Sequence, residues 1–321
     1  PLARLAPALA LASVVAGPAA AQEHSWTLTT FVPENSQVFE DFVDTFVDRV
    51  EQLTDGAVEI QAFGAGVIAG PFEGYRAVQR GTADLAFMYP PFITNDDPAN
   101  AVLGGMPGGM SAQGMVNWLF EGGGEALWID FRRETMGLQP IIAGAVPTEI
   151  FLHSHSPIRS LEDLDGLSIR TAGAWAQIVK DFGTATTVLA PAEIFTMLER
   201  RGVDAIEFVT PAINESAGYH EVAPYIVVPG VHQPSGAYEV VMRAKVWDDL
   251  PEALQGKLRA AGRLAAFDSL MKTEHQDLAA FAAFGEGANE VQVLPEAGIA
   301  DLVRASHGWA ATTAERLAAA G

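Results

Sequence analysis

Residues 166–208 read GLSIRTAGAWAQIVKDFGTATTVLAPAEIFTMLERRGVDAIEF and contain one arginine and one carboxylate whose spacing could serve chemistry. The stretch alternates strand, helix, strand, helix and strand, so Arg170 closes the first strand and Glu207 the last. Strand ends of an α/β sheet are where loops and helix N-termini converge on ligands. A guanidinium fixed there can hold a carboxylate through two parallel charge-assisted hydrogen bonds. Glu207 sits in the apolar run Ala205-Ile206-Glu207-Phe208-Val209, and a carboxylate in such a run needs a partner. Together they predict a receptor for a small organic acid. A plainer role for Arg170, a surface pair with Asp163 or Asp165, fits its strand-end position before Thr171-Ala172-Gly173 less well.

Other residues offer less. His153 and His155 alternate on one strand face, but no third ligand is near, so packing or surface roles are expected rather than zinc. Gly122-Gly123-Gly124 is not followed by a lysine-serine or lysine-threonine pair and reads as a helix-joining turn rather than a phosphate cradle. No serine has a G-x-S-x-G setting, and no H-E-x-x-H occurs. Cysteine is absent, which excludes disulfides, iron–sulfur clusters and thiol catalysis. Tyr89, Phe92 and Trp175 are candidates either for a ligand cleft or for the core. His232 stands beside Gln233 and can shape a site through a hydrogen bond.

The elements that must position these residues form two α/β units. A strand at 26–31, an amphipathic helix at 36–53, a strand at 57–63, a helix at 71–80 and a strand at 83–88 imply a parallel sheet with right-handed crossovers. Residues 95–109 are rich in Asn, Asp, Pro and Gly and read as loop, followed by helices at 111–120 and 124–135. The second unit opens at Ser160 with an N-cap pattern and ends near Pro224. Strand-rich stretches at 138–152 and 227–243 join the units, and helices at 251–284 and 299–320 complete the chain. The expected fold is a two-lobed α/β clamshell with hinge strands and C-terminal helices; the family resemblance below makes it that of a periplasmic binding protein. Its divisions are residues 1–21 as signal peptide, 22–146 as lobe I completed by 237–290, 147–236 as lobe II, and 291–321 as a C-terminal helical segment.

The apolar N-terminal run ends in Ala19-Ala20-Ala21 before Gln22, the pattern of a cleaved secretory signal. The chain opens on proline, so its extreme N-terminus is expected to be incomplete. The formal net charge is −21, which argues against nucleic acid and anionic membranes as partners. No other stretch has the apolar length of a membrane span, so no stable membrane insertion of the mature chain is expected.

Five segments carry a family resemblance. FGAGVIAGPFEGYRAVQRGTADLAFM (63–88), QGMVNWLFEGGGEALW (113–128), SLEDLDGLSIRTAG (160–173), PAEIFTMLERRGVDAIEFVTP (191–211) and PGVHQPSG (229–236) resemble, in order and spacing, the solute receptors of TRAP (tripartite ATP-independent periplasmic) transporters. The second segment resembles the branch that takes 2-oxo and 2-hydroxy monocarboxylates, such as pyruvate and lactate. The resemblance implies a periplasmic receptor, not an enzyme, that passes a small acid to separate membrane subunits. It implies that Arg170 clamps the ligand carboxylate, with Glu149 and Phe208 also at the ligand; His232, from its place beside Gln233, is counted with them. It further implies a metal cation held by Glu207, the Phe208 carbonyl, Gln233 and Glu149.

Two positions depart from that branch: Glu149 stands where glutamine is usual, and Phe208 where tryptophan is usual. The extra carboxylate leads to an expectation of Ca²⁺ over Na⁺, because carboxylate count sets the preferred ion charge. Alternatively, Glu149 recognises a cationic or hydroxylated part of another ligand. The chain ends soon after Arg316-Leu317, so the exchanged C-terminal helix through which related receptors dimerise is expected to be absent and a monomer is favoured. A receptor for another uptake or sensing system is the next reading. A secreted hydrolase using Glu149 and Glu207 as a carboxylate pair is the third.

Overall fold

The computed structural model describes residues 23–320, so the expected signal segment at 1–21 lies outside the described residues. Its strands, in chain order, are β1 (His24–Thr30), β2 (Val58–Phe63), β3 (Leu85–Met88), β4 (Leu138–Val146), β5 (Leu152–Ser154), β6 (Ser168–Arg170), β7 (Ala185–Thr187), β8 (Ala205–Ile206), β9 (Tyr225–Val228), β10 (Gly236–Arg243) and β11 (Glu290–Val293). They form a five-stranded sheet in the order β2-β1-β3-β10-β4 and a six-stranded sheet in the order β11-β9-β5-β8-β6-β7. The two-lobed α/β architecture expected from the sequence is the one observed.

In the first sheet β1, β2 and β3 run parallel, as their alternation with helices requires. β10 returns antiparallel between β3 and β4. All nine residues of β4 are buried, which explains its continuous apolar run. In the second sheet β6, β7 and β8 are parallel, while β5 is antiparallel to β8 and β9. Each sheet has its own apolar core, the first around Phe42, Phe46 and Phe87 and the second around Phe151, Ile169 and Trp175.

Two expectations need correction. Residues 95–109 are not all loop, because a short helix spans Ala99–Gly104. Its start is set by Asp97, whose Oδ1 accepts the Ala99 amide at 2.9 Å, with Pro98 at the entry. The chain also crosses between sheets three times rather than twice. The third crossing uses the helix Glu252–Glu286, and β11 then pairs in parallel with β9. Residues 290–293 had been expected at the junction of a helical segment. They escaped notice because a four-residue edge strand with one buried position, Gln292, carries almost no periodicity.

The lobes meet closely. The Gly108 amide donates to the Val231 carbonyl at 2.8 Å, and Gln177 Nε2 donates to Asn95 Oδ1 at 3.1 Å. Gly173, in a left-handed conformation (φ +66°), lies against Pro91, and a Cβ there would approach the Pro91 Cβ to 2.9 Å.

Candidate functional site

β6 and β8 are adjacent and parallel, with Arg170 in register with Ile206. The sheet therefore delivers Arg170 and the following residue, Glu207, to the same C-terminal edge. Both are buried, at 2% and 6% exposure, which neither could sustain alone. The Glu207 amide donates to the Arg170 carbonyl at 3.1 Å, and Glu207 Oε1 accepts the Ala172 amide at 3.0 Å and lies 3.5 Å from Arg170 Nη1. Arg170 Nη1 donates to the Glu207 carbonyl at 2.7 Å and Nη2 to the Leu189 carbonyl at 3.1 Å. The surface pairing with Asp163 or Asp165 is not formed: Asp163 caps its own turn through the Arg159 and Ser160 amides. Arg170 Nε is a buried donor with no partner in the protein. The guanidinium is thus braced by backbone on one side and keeps donor capacity for an anion.

The hinge supplies the rest. The Glu149 amide donates to the Gln233 carbonyl at 3.1 Å, and the Ile150 amide to the Val209 carbonyl at 3.0 Å. These two bonds tie the β4–β5 crossing to both the β8 end and the β9–β10 crossing. His232 Nε2 is 3.2 Å from Glu149 Oε2 and 3.8 Å from Glu207 Oε2. Among the described residues, Glu149, Glu207 and His232 are the one group of three metal-ligating side chains whose donor atoms converge, all within 4.8 Å of one another. Gln233 Nε2 donates to the Ser235 carbonyl at 2.6 Å and reaches the Gly104 carbonyl at 3.4 Å, which leaves Oε1 as its free acceptor. Gly105 permits this, since a Cβ there would lie 2.0 Å from Gln233 Nε2.

Electrostatics follow from this packing. Burial pushes the Glu149 carboxyl up to about 7, assisted by the Glu207 charge and opposed by the hydrogen bond from His232. At Glu207 burial also pushes upward, but the neighbouring His232 and Arg170 outweigh it and hold the group below the usual range. His232 is raised to about 9: burial disfavours its charge, yet the hydrogen bond to Glu149 and the nearby Glu207 carboxylate win.

Lobe I closes over these groups with aromatic rings. Tyr89, Phe92, Phe31 and Tyr238 face Arg170, Trp175 and Phe208 across one cavity. Arg170 lies 5.6 Å from the Phe208 ring centroid, and Tyr89 packs edge-on against both Phe92 and Tyr238. Burial first, then Glu149 and Glu207, push the Tyr89 hydroxyl well above its usual range. Trp175 Nε1 is a second buried donor without a partner. The cavity leaves about 30 Å³ in which the centre of a water-sized sphere can move, less than either of its neighbours.

All the residues named from the sequence (Glu149, Arg170, Glu207, Phe208, His232, Gln233, Tyr89, Phe92 and Trp175) line this cavity. Phe31, Tyr238 and Gly105 also line it and were missed; Tyr238 lies inside the apolar strand β10 and carries no local signal. His153 stays apart, fully buried with Nε2 3.2 Å from Asn214 Nδ2, and burial lowers its pKa to about 3. His155 bonds the Leu198 carbonyl.

The model of the DctP family, bacterial extracellular solute-binding protein family 7, matches residues 28–314. A monocarboxylate 2-oxoacid-binding periplasmic protein from Nostoc sp. is 29% identical over 236 residues, 74% of this chain and 64% of that protein. A TRAP periplasmic solute-binding protein from Pseudoalteromonas atlantica, solved with sodium and pyruvate, superposes with a TM-score of 0.85 at 24% identity, covering 92% of this chain and 89% of that one. One from Colwellia psychrerythraea, with calcium and pyruvate, gives 0.84 at 23% identity, covering 92% of each chain. An apo, open structure from Rhodobacter sphaeroides is 25% identical, covering 91% of this chain and 92% of that one, yet gives only 0.67. The chain therefore belongs to the DctP family of bacterial extracellular solute-binding proteins.

Proposed function

We propose that this protein is a periplasmic receptor for a small 2-oxo or 2-hydroxy monocarboxylate, which it delivers to the membrane subunits of a TRAP transporter. The observation that carries the reading is the convergence of Arg170 with Glu149 and Glu207 in one cavity between the lobes. Arg170, with its unpaired Nε, clamps the carboxylate. Glu149, Glu207, Gln233 Oε1 and the Phe208 carbonyl supply the oxygen donors that a hard cation requires. A bound cation would attract the ligand's carboxylate and 2-oxygen together. Tyr89, Phe92 and Trp175 wall the ligand, and the orphaned indole N–H of Trp175 is available to a ligand oxygen.

The cation we favour is Ca²⁺. With His232 neutral, Glu149, Glu207, Arg170 and a monocarboxylate leave two negative charges, which a divalent ion cancels and sodium only halves. Counting His232 as imidazolium would leave one, the charge sodium matches. The divalent reading therefore requires that metal binding expel the proton shared by His232 and Glu149.

Calorimetric titration of metal-stripped protein with pyruvate, 2-oxobutyrate and lactate, in the presence of Na⁺, Ca²⁺ or neither, tests both statements. Repetition in buffers of different ionisation enthalpy counts the protons released. Tight binding in Ca²⁺ with release of about one proton is expected. Binding that is as strong in Na⁺ without proton release would reverse the metal preference. No binding of any of these acids under any ion would overturn the ligand class.

A further inference from the structure

The acid-binding cavity has two larger neighbours. A compartment between the lobes, lined by Thr94, Asn95, Gln177, Lys180 and Val188, offers about 200 Å³ on the same measure. A groove on lobe I, running over Phe72, Tyr75, Arg76 and Asn100, offers about 460 Å³. The site shares only Pro91, Phe92, Ala172 and Gly173 with the first compartment, and only Phe92 with the second. Three of the four shared residues are proline, alanine and glycine, so their part of the wall is backbone or a short fixed ring. Phe92 is the one long side chain that stands between the site and both spaces. Its ring is held edge-on by Phe31, Phe72 and Tyr89, at centroid distances of 5.3, 5.1 and 5.2 Å.

Resting on the monocarboxylate reading above, we propose that Phe92 sets the chain length of the acid this receptor accepts. Its ring closes the distal end of the cavity against linear acids of about six carbons or more. The carboxylate end is fixed by Arg170, so added methylenes must point away from it toward the lobe I wall. With the ring in place they meet aromatic carbon. With the ring removed they enter space already present beside it, and each methylene buried there strengthens binding about fourfold.

The test is a calorimetric series of pyruvate, 2-oxobutyrate, 2-oxohexanoate and 2-oxooctanoate against wild type, Phe92→Leu and Phe92→Ala, with circular dichroism melts of each. The readout is the ratio of long-acid to short-acid affinity, which general weakening of the site does not move. The wild type is expected to favour the short acids by about 100-fold or more, since an overfilled aromatic wall must deform. Phe92→Ala is expected to reduce that preference at least tenfold, with Phe92→Leu between; where Phe92→Ala does not fold, Phe92→Leu carries the comparison. A folded variant that binds short acids with the wild-type ratio overturns the proposal and leaves the receptor reading standing. A wild type that binds octanoate-length acids as well as pyruvate overturns it too. Absence of any 2-oxo acid binding by the wild type overturns the monocarboxylate reading, and the chain-length role with it.

Discussion

Arg170 and Glu207 were legible because their signal is local: a strand, a charged residue at its end, and a turn. Glu149 was reachable only through family resemblance, since nothing around Thr148-Glu149-Ile150 distinguishes it from a surface glutamate. His232 was read as a residue shaping the site, and the structure gives it a larger part as the imidazole between two buried carboxylates. Its consequence is a pH dependence of stability. The folded pKa of His232, about 9, lies above its ordinary value of 6.5, so its contribution is complete below pH 6.5 and lost as pH rises through 9. Glu149, raised to about 7 from 4.5, acts in the same direction, because the folded state holds a proton that the unfolded chain has released. The melting temperature of metal-free protein is therefore expected to fall between about pH 4.5 and pH 9, Glu149 acting in the lower part and His232 in the upper. His232→Asn should flatten the upper part of that fall, and an unchanged melting profile in the variant would remove His232 as the cause. Arg170→Lys is expected to weaken acid binding by about 100-fold, because an ammonium cannot reproduce the planar fork braced by the Glu207 and Leu189 carbonyls. Titration with pyruvate measures it, and near-wild-type affinity would mean that the carboxylate is held elsewhere.

At the scale of elements, the strands and long helices of both lobes were legible because strand and helix alternate in α/β units. The short helix Ala99–Gly104 was hidden in a stretch rich in Asn, Asp, Pro and Gly, and the strand β11 buries only Gln292. A buried network in lobe I was equally invisible. Glu239 on β10 accepts from Arg132 Nε at 2.9 Å and Nη2 at 2.6 Å, from the Tyr75 hydroxyl at 2.6 Å and from Trp128 Nε1 at 2.8 Å. Arg132 Nη1 also donates to Asn100 Oδ1 at 2.6 Å. Its members come from four distant segments, so no window of sequence contains it. The network pins the helix Gly124–Met136 to the strand that carries Tyr238 into the site. Glu239→Ala strands a fully buried arginine and is expected to cost about 3–5 kcal/mol in urea unfolding. A loss below about 1 kcal/mol would mean that the pair is replaceable without penalty.

At the scale of the whole molecule, the site exists only where the lobes meet. Arg170, Glu207 and Trp175 belong to the second sheet's side, while Tyr89, Phe92 and Tyr238 belong to the first. This is why the aromatic wall was only partly foreseen: cleft residues on lobe I read from sequence as core. Gly173 approaches Pro91 closely where the lobes meet. Gly173→Val is expected to hold the lobes apart, so that in X-ray scattering ligand is expected to reduce the radius of gyration of the wild type but not of the variant. An equal contraction in the variant would show that this contact is not needed for closure. The central claim is that acid and cation occupy one enclosed site and strengthen each other. Its most direct measurement is pyruvate affinity of metal-stripped protein with and without saturating Ca²⁺. The account predicts that Ca²⁺ tightens pyruvate by about 100-fold and that pyruvate tightens Ca²⁺ by the same factor, as linkage demands. Equal pyruvate affinity with and without the ion would contradict it.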